Sequence, residues 1–358
     1  MKRIDFENGT ITQNILGAAL PMLVAQILSL LYNIVDRIYI ARIPHIGNTA
    51  LGAVGLCFPI VTIVTAFSNL FGSGGAPIFS IQRGMGNDKK AGMIMNTSYT
   101  MLCTCALVLM SIGLLFARPI LVLFGASSHA LVYAYPYLMI YLLGTFPAMI
   151  STGMNPFINA QGYSTIGMLS VAVGAIANLL LDPLFIFVFG LGIKGAAIAT
   201  VLSQILSAGF VLYFLRRRSE LKVRLLRLDE LSACGKYAAN ILSLGTAGFV
   251  MQLTNSLVTI CCNNVLAATG GDLYVSVMTI ISSVRQMVET PILAVTEGSS
   301  PVISYNYGAR RPQRVRQAGI TMALIALVYT LFIWSIILFA PRFVIHIFST
   351  DKTLLADT

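Results

Sequence analysis

The sequence predicts an all-α, polytopic membrane protein, and three observations support that fold class. Of its 358 residues, 57% are hydrophobic and only 10% are charged, whereas a typical soluble domain is about 25% charged. Apolar runs recur along the chain, and each is long enough to cross a hydrocarbon core of about 30 Å as a helix. These runs lack the alternating pattern of membrane barrel strands. The membrane-spanning elements are therefore predicted to be helices.

Nine helical spans are predicted, and the basic residues indicate their orientation. The spans cover approximately 15–41, 50–80, 94–117, 131–155, 166–190, 195–215, 237–267, 273–304 and 318–348. With the N-terminus inside, 16 of the 23 Lys and Arg residues fall in cytoplasmic segments, as expected for the cytoplasmic face of a membrane protein. We therefore expect a multi-pass protein of the cytoplasmic membrane with a cytoplasmic N-terminus. The net charge of +10 follows from this bias and does not indicate a nucleic-acid partner.

An internal repeat divides the predicted spans into two groups. Four residues match the residue 224 positions later: Gly74 with Gly298, Pro77 with Pro301, Ser80 with Ser304 and Gly84 with Gly308. We predict a complete six-helix lobe over 1–215, a basic cytoplasmic linker over 216–236 and a partial second lobe of three helices over 237–358. If the second half repeats the first, three further helices are expected after Thr358. Repeated halves of this kind are characteristic of secondary transporters.

Two carboxyl side chains interrupt apolar spans at a similar predicted depth. Asp36 lies in the first span, and Asp182 lies in the fifth, where Asn178 occupies the same helix face four residues earlier. At a rise of 1.5 Å per residue, Asp36, Asp182 and Thr200 of the sixth span lie roughly 9–12 Å from the external ends. A carboxylate costs about 2.5–3.5 kcal/mol at the bilayer midplane, which makes these residues candidates for function. Their oxygens can coordinate a hard monovalent cation such as Na⁺, or one carboxyl can hold a proton.

Structural roles are the alternatives for the same residues. Asp36 is near enough to the membrane interface to pair with Arg37. Asp182 has no adjacent cation in the sequence, and its structural alternative is a buried acid satisfied by Asn178 or by the backbone. Thr200 carries little signal by itself, because threonine is ordinary in packed transmembrane helices.

Further candidates concern a hinge and a substrate cleft. Pro21 interrupts the hydrogen bonding of the first span and is the predicted hinge. The candidate cleft residues are Tyr32, Asn155, Glu289 and Glu297. The alternative for Glu289 is neutralisation by Arg285 at i,i+4 spacing. Asn155 has helix-end capping as its alternative, and Glu297 can face either a central cleft or water.

Enzyme signatures are missing from the sequence. It contains no HExxH motif, no Walker loop and no paired aspartate-rich prenyl-diphosphate motif. The six cysteines fall mostly inside apolar spans without metal-like spacing, and we interpret them as small buried thiols. We therefore predict neither enzymatic activity nor a cofactor, and any pumping must be driven by an ion gradient.

Four stretches resemble recurring motifs of the multidrug and toxic compound extrusion (MATE) transporters. They are YNIVDRIYIARIPHIGNTALGAVGLCFPI, GGAPIFSIQRGMGNDKKAG, DPLFIFVFGLGIKGAAIAT and PVISYNYGARR. The resemblance implies a V-shaped, two-lobed bundle that exports amphipathic, often cationic drugs in exchange for H⁺ or Na⁺. In family members of the archaeal and DinF-like branch, four residues form the cation-coupling set. The positions that match them in this sequence are Asp36, Asn178, Asp182 and Thr200. The stretch EGSSPVISYN, which begins at Glu297, is similar to the MepA-like multidrug group.

Other functions stay open at this stage. A lipid-linked oligosaccharide flippase of the same superfamily should have a basic cleft, yet only Arg37 and Arg285 are cations within the predicted spans. An inactive fragment of a transporter is a further alternative, whereas the missing motifs argue against an intramembrane enzyme. The expected partners are a small amphipathic or cationic molecule and the lipid bilayer, and we expect a monomer.

Overall fold

The computed structural model describes residues 3–44, 46–227, 229–230 and 234–339, which form nine α-helices and no strand. The helices are α1 Ile11–Ala41, α2 Gly47–Gly84, α3 Asp88–Leu123, α4 Ser128–Leu143, α5 Thr145–Ala160, α6 Ser164–Pro183, α7 Ile193–Tyr213, α8 Gly235–Gly308 and α9 Pro312–Phe339. Two π-helical turns, Leu184–Val188 and Phe214–Arg218, extend α6 and α7. Among the described residues, seven helices are long and apolar enough to cross a membrane. The predicted all-α membrane fold is confirmed.

The fourth predicted span is bent near its middle. It consists of α4 and α5, whose axes differ by 53° at Gly144. A Cβ atom on Gly144 would lie 2.7 Å from side-chain atoms of Val201 and Gln204 in α7. The close approach of α7 therefore requires a residue without a side chain at the bend. Taken together, α4 and α5 make an eighth candidate span among the described residues.

A single helical element, α8 Gly235–Gly308, covers both the seventh and the eighth predicted spans. A straight helix of 74 residues would be about 110 Å long. Residues near its two ends nevertheless contact nearby parts of α2. Gly245 contacts Leu70, and Gly308 contacts Ile81. The element therefore bends back, and its two legs correspond to the seventh and eighth predicted spans.

The end of the ninth predicted span lies outside the described residues. The predicted range was 318–348, and α9 is described from Pro312 to Phe339. The three helices expected beyond Thr358 lie outside the chain itself. The lobe boundaries stay predictions.

The repeated glycines pack against each other's helices in a reciprocal way. A Cβ atom on Gly84 of α2 would overlap the carbonyl oxygen of Tyr305 in α8, and a Cβ atom on Gly308 would overlap that of Ile81. Residues 81 and 305 are themselves related by the 224-residue offset. The contact between α2 and the second leg of α8 therefore has approximate two-fold symmetry, with each repeat copy supplying one glycine and one carbonyl.

The basic linker after α7 is bound to the helices beside it. The backbone N–H of Leu221 donates to Gln161 Oε1 at 3.1 Å, and that of Arg224 donates to Asn96 Oδ1 at 3.0 Å. Arg224 also pairs with Glu230 at 2.6 Å. Hydrogen bonds from the Arg224 side chain and from the backbone of Arg227 lower the pKa of Glu230 to about 2. The pair is therefore formed throughout the neutral pH range.

Candidate functional site

Two acids, the half-buried Asp36 of α1 and the buried Asp182 of α6, meet inside the helix bundle. Asp182 and Asn178 are almost completely buried on one face of α6, and Asn178 Nδ2 donates to Asp182 Oδ1 at 3.2 Å. Asp36 projects from α1, and its carboxyl group lies within hydrogen-bonding reach of the Asp182 carboxyl group. The structure thus brings together three of the four predicted coupling residues.

The cluster holds more acceptor oxygens than donors. Among the described atoms, Asp36 Oδ1, Asn178 Oδ1 and Asp182 Oδ2 are buried and have no hydrogen-bond partner. Two neighbouring carboxylates cannot both be charged in a low-dielectric interior without a neutralising cation. A proton shared by the two carboxyl groups or a bound monovalent cation would supply the missing charge. The set of oxygen atoms suits a hard cation.

Local backbone irregularity positions the acid of α6. Pro183 directly follows Asp182 and cannot donate a backbone hydrogen bond, so the regular α-helix ends there. The chain continues as the π-helical turn Leu184–Val188, and such turns often occur at functional sites. The sequence analysis did not predict this π-helical turn.

The sequence analysis missed two tyrosines beside the acids. Tyr137 and Tyr141 of α4 are buried, and their rings stack with centroids 6.4 Å apart. Tyr137 lies close enough to interact electrostatically with both Asp36 and Asp182. The i,i+4 spacing of the tyrosines was visible in the sequence, but aromatic residues at that spacing usually indicate only helix packing.

Thr200, the fourth predicted coupling residue, does not hydrogen-bond to the acids. The Thr200 hydroxyl donates to the carbonyl oxygen of Ala196 at 3.0 Å rather than to either carboxylate, and its side chain faces the neighbouring cavity. Pro21 lies within α1, which is helical from Ile11 to Ala41. Its role as a hinge stays a prediction.

A cavity of about 650 Å³ lies between the two sides of the bundle, lined by parts of α1, α2, α4, α5, α6, α7 and α8. Its lining combines apolar side chains with neutral polar ones and is almost uncharged. Seven amides contribute to it, namely Gln26, Asn33, Asn69, Asn155, Asn159, Gln204 and Gln252. Glu297 is the one charged side chain among the described lining residues, and Gln26 Nε2 approaches its Oε2 at 3.5 Å. The cavity therefore offers a single carboxylate among neutral hydrogen-bonding groups.

Three of the four predicted cleft residues line this cavity. They are Tyr32, Asn155 and Glu297. Asn155 Nδ2 donates to Ser170 Oγ at 2.7 Å and to the carbonyl oxygen of Gly167 at 2.9 Å. Asn155 therefore connects α5 to α6 and does not cap a helix end. Sequence reasoning missed the other amides, because neutral polar residues are common in packed transmembrane helices.

Glu289 lies elsewhere. Its carboxylate is 3.6 Å from Arg285 one helical turn earlier, and both side chains are more than half exposed. Glu289 is not among the residues that line the cavity. The structure therefore agrees with the alternative of charge neutralisation by Arg285 at this position.

Membrane-spanning helices, a polar central cavity and a buried acid cluster together define a membrane transporter. Among the described residues, no group of three or more His, Cys, Asp or Glu side chains could hold a metal ion. The chain belongs to the MatE family, whose model matches residues 21–184 and 248–358. This confirms the resemblance in the motifs, and the protein is a multidrug efflux transporter rather than an enzyme.

Known relatives agree along almost the whole chain. The multidrug export protein MepA of Staphylococcus haemolyticus (strain JCSC1435) is 26% identical over 350 residues, which are 98% of this chain and 76% of the relative. A solved structure of a multidrug resistance MATE family transporter in its outward-facing conformation matches with a TM-score of 0.88 at 25% identity, and it covers 100% of this chain and 79% of that chain.

A third relative differs in its described function. It is a MOP superfamily transporter from Pyrococcus furiosus, for which reverse polarity of the binding pocket suggests a different function. It matches with a TM-score of 0.87 at 25% identity and covers 99% of this chain and 77% of that chain.

Proposed function

We propose that this protein is an antiporter that exports amphipathic, cationic compounds across the cytoplasmic membrane in exchange for entering H⁺ or Na⁺. The observation that carries the proposal is the cluster of Asp36, Asn178 and Asp182, with three buried oxygens that lack a donor. This cluster is distinct from the cavity that contains Glu297. One protein thus has an acid site for the coupling ion and a separate carboxylate for a substrate.

Coupling requires only that the ion bind one conformation more tightly than the other. The acids lie on different helices, Asp36 on α1 and Asp182 on α6. When a cation neutralises the pair, the two carboxyl groups attract the same ion, and without it they repel each other. Ion binding therefore favours a close approach of α1 and α6. A movement of α1 changes the cavity directly, because Met22, Gln26 and Tyr32 of the same helix line it.

The cavity indicates the class of substrate. A monovalent organic cation can pair with Glu297 while its uncharged parts contact neutral side chains such as Tyr32 and Phe58. Neither Lys nor Arg occurs among the described residues that line the cavity. A pyrophosphate group would find no positive partner there, which disfavours the lipid-linked oligosaccharide flippase.

Replacement of Glu297 by Gln is expected to weaken the transport of ethidium, a permanent cation. Loss of one charge contact in a partly desolvated cavity is worth about 1–4 kcal/mol, so we expect at least about a fivefold rise in apparent KM. Ethidium transport into inside-out membrane vesicles measures this rise. Glu289→Gln is the matched control, because Glu289 lies outside the cavity lining. Equal kinetics for the two variants would contradict the assigned role of Glu297.

The coupling ion can be identified in the same vesicles. Proton and sodium gradients are imposed separately, and the ion whose gradient drives ethidium transport is the coupling ion. If neither gradient drives transport, the antiport proposal fails.

The proposed cytoplasmic N-terminus is tested with a membrane-impermeant thiol reagent on a Lys89→Cys variant, which should be labelled in inside-out vesicles and protected in intact cells.

A further inference from the structure

The residues before α1 form a compact segment, which we call the N-terminal strap and define as residues 3–10. The Asp5 carboxylate accepts hydrogen bonds from the backbone N–H groups of Glu7 at 2.9 Å and Asn8 at 3.2 Å. These bonds, that to Glu7 above all, hold the pKa of Asp5 below its usual range. Asn14 Nδ2 of α1 donates to the carbonyl oxygen of Asp5 at 2.8 Å. The strap is therefore an ordered turn that is attached to the start of α1.

One side of the strap is bound to the loops next to α5 and α7. The N–H of Ile4 donates to the carbonyl oxygen of Gly162 at 2.9 Å. Gly162 has a φ of +88°, and a Cβ atom there would lie 2.7 Å from the Ile4 carbonyl oxygen. Arg3 forms an ion pair with Glu220, which also pairs with Arg83 at the end of α2. The strap thus moves with α1 and with the helices of the first half of the chain.

The other side of the strap is bound to α8 and α9. The Phe6 side chain is buried against Val302 and Ala318. The backbone carbonyl oxygen of Phe6 accepts hydrogen bonds from Asn306 Nδ2 at 3.2 Å and from Arg314 Nη2 at 3.3 Å.

Two arginines complete this second attachment. Arg314 Nη2 donates to the carbonyl oxygen of Gly9 at 2.8 Å. Arg311 binds Glu7 twice, at its carbonyl oxygen and at its carboxylate, both at 2.8 Å. A buried aromatic ring and charge-assisted hydrogen bonds therefore join this segment of eight residues to the α8–α9 turn.

We propose that the N-terminal strap is a latch that holds the cytoplasmic end of the transporter closed and must release α8 and α9 in each transport cycle. The strap reaches from the α5–α6 loop to the α8–α9 turn, and so it crosses the end of the bundle where a cytoplasmic opening would separate the two sides. Its attachments to α1, Gly162 and Glu220 keep it with the first half of the chain. Opening therefore breaks the contacts that α8 and α9 make with Phe6, Glu7 and Gly9. The proposal rests on the transport function proposed above.

A reversible cross-link across the releasing contact tests the latch. Glu7 and Arg311 are replaced by cysteine in the intact protein, in a background whose native cysteines have been replaced. The pair is then bridged in inside-out vesicles with a short, reducible bis-methanethiosulfonate reagent. The two native side chains touch at 2.8 Å, so a short reagent can span the pair. We expect ethidium transport to be lost after cross-linking and restored by reduction.

A second cysteine pair is the matched control. Arg224 and Glu230 also form an ion pair outside the membrane, at 2.6 Å, but both belong to the linker after α7. Cross-linking Arg224→Cys to Glu230→Cys should leave transport unchanged, because that contact does not cross between the two halves.

The outcomes separate the latch from the transport function itself. Transport that continues when Glu7→Cys and Arg311→Cys are fully cross-linked would overturn the latch. In that case transport would not require the strap to release α8 and α9. Equal inhibition by the control pair would also overturn it. Failure of the proposed transport function would appear earlier, as absence of transport before any reagent is added.

Discussion

Replacement of Asp182 by Asn is expected to abolish gradient-driven transport while the protein still inserts and folds. Asparagine keeps the shape of the side chain and can still hydrogen-bond to Asn178, but it can neither take up a proton nor neutralise a cation. Removal of a buried acid also lowers the cost of membrane insertion. We therefore expect ethidium transport at the level of empty vesicles, together with normal expression and an unchanged or higher melting temperature.

Asp88→Asn is the matched control for this substitution. Asp88 begins α3 at the end of the bundle that carries the strap, and its side chain is 62% exposed. The same chemical change there should leave transport close to that of the unmodified protein. Gradient-driven transport by Asp182→Asn at a normal rate would contradict the role of the acid cluster in coupling.

Replacement of Gly84 by Ala is expected to destabilise the protein severely. The added methyl group would overlap the backbone of Tyr305, which cannot move aside as a flexible side chain can. Overpacking of this kind typically costs about 1–3 kcal/mol and sometimes more, and a backbone obstacle belongs at the upper end. Because the contact is reciprocal, Gly308→Ala should have a similar effect through Ile81. The melting temperature in detergent measures both.

Gly92→Ala provides the comparison for the same chemical change in a helix. Gly92 lies in α3, and a Cβ atom there would meet nothing within 4 Å. Alanine is the better helix former by about 1 kcal/mol, so this variant should be as stable as the unmodified protein or more stable. If Gly84→Ala and Gly92→Ala melted at the same temperature, the close crossing of α2 and α8 would be disproved.

The acid cluster could be predicted from sequence because ionisable residues are rare and costly in apolar helices. Asp36 and Asp182 stood out for this reason, and the i,i+4 spacing placed Asn178 beside Asp182. The coupling role of these residues stays a prediction. The fold class was equally accessible, because hydropathy largely determines where membrane helices occur.

The cavity lining could not be predicted from the same signal. Neutral residues such as Gln204 and Gln252 cost little in a helix, and whether they face a cavity depends on how each helix is rotated in the bundle. The bend at Gly144 and the fold-back of α8 also depend on contacts between helices distant in sequence. The N-terminal strap gave no periodic pattern, because its order comes from individual hydrogen bonds to Gly162, Asn306 and Arg314.

The reciprocal contact of Gly84 and Gly308 has the geometry of an isologous dimer interface, in which one patch faces a second copy of itself. A half-sized polypeptide with this helix would therefore carry a self-complementary surface. Joining two such copies through a linker would give them an effective concentration in the mM range, so that even a weak self-association would be maintained. A change in one copy alone would leave its counterpart mismatched, and so the two glycines constrain each other across 224 residues of chain.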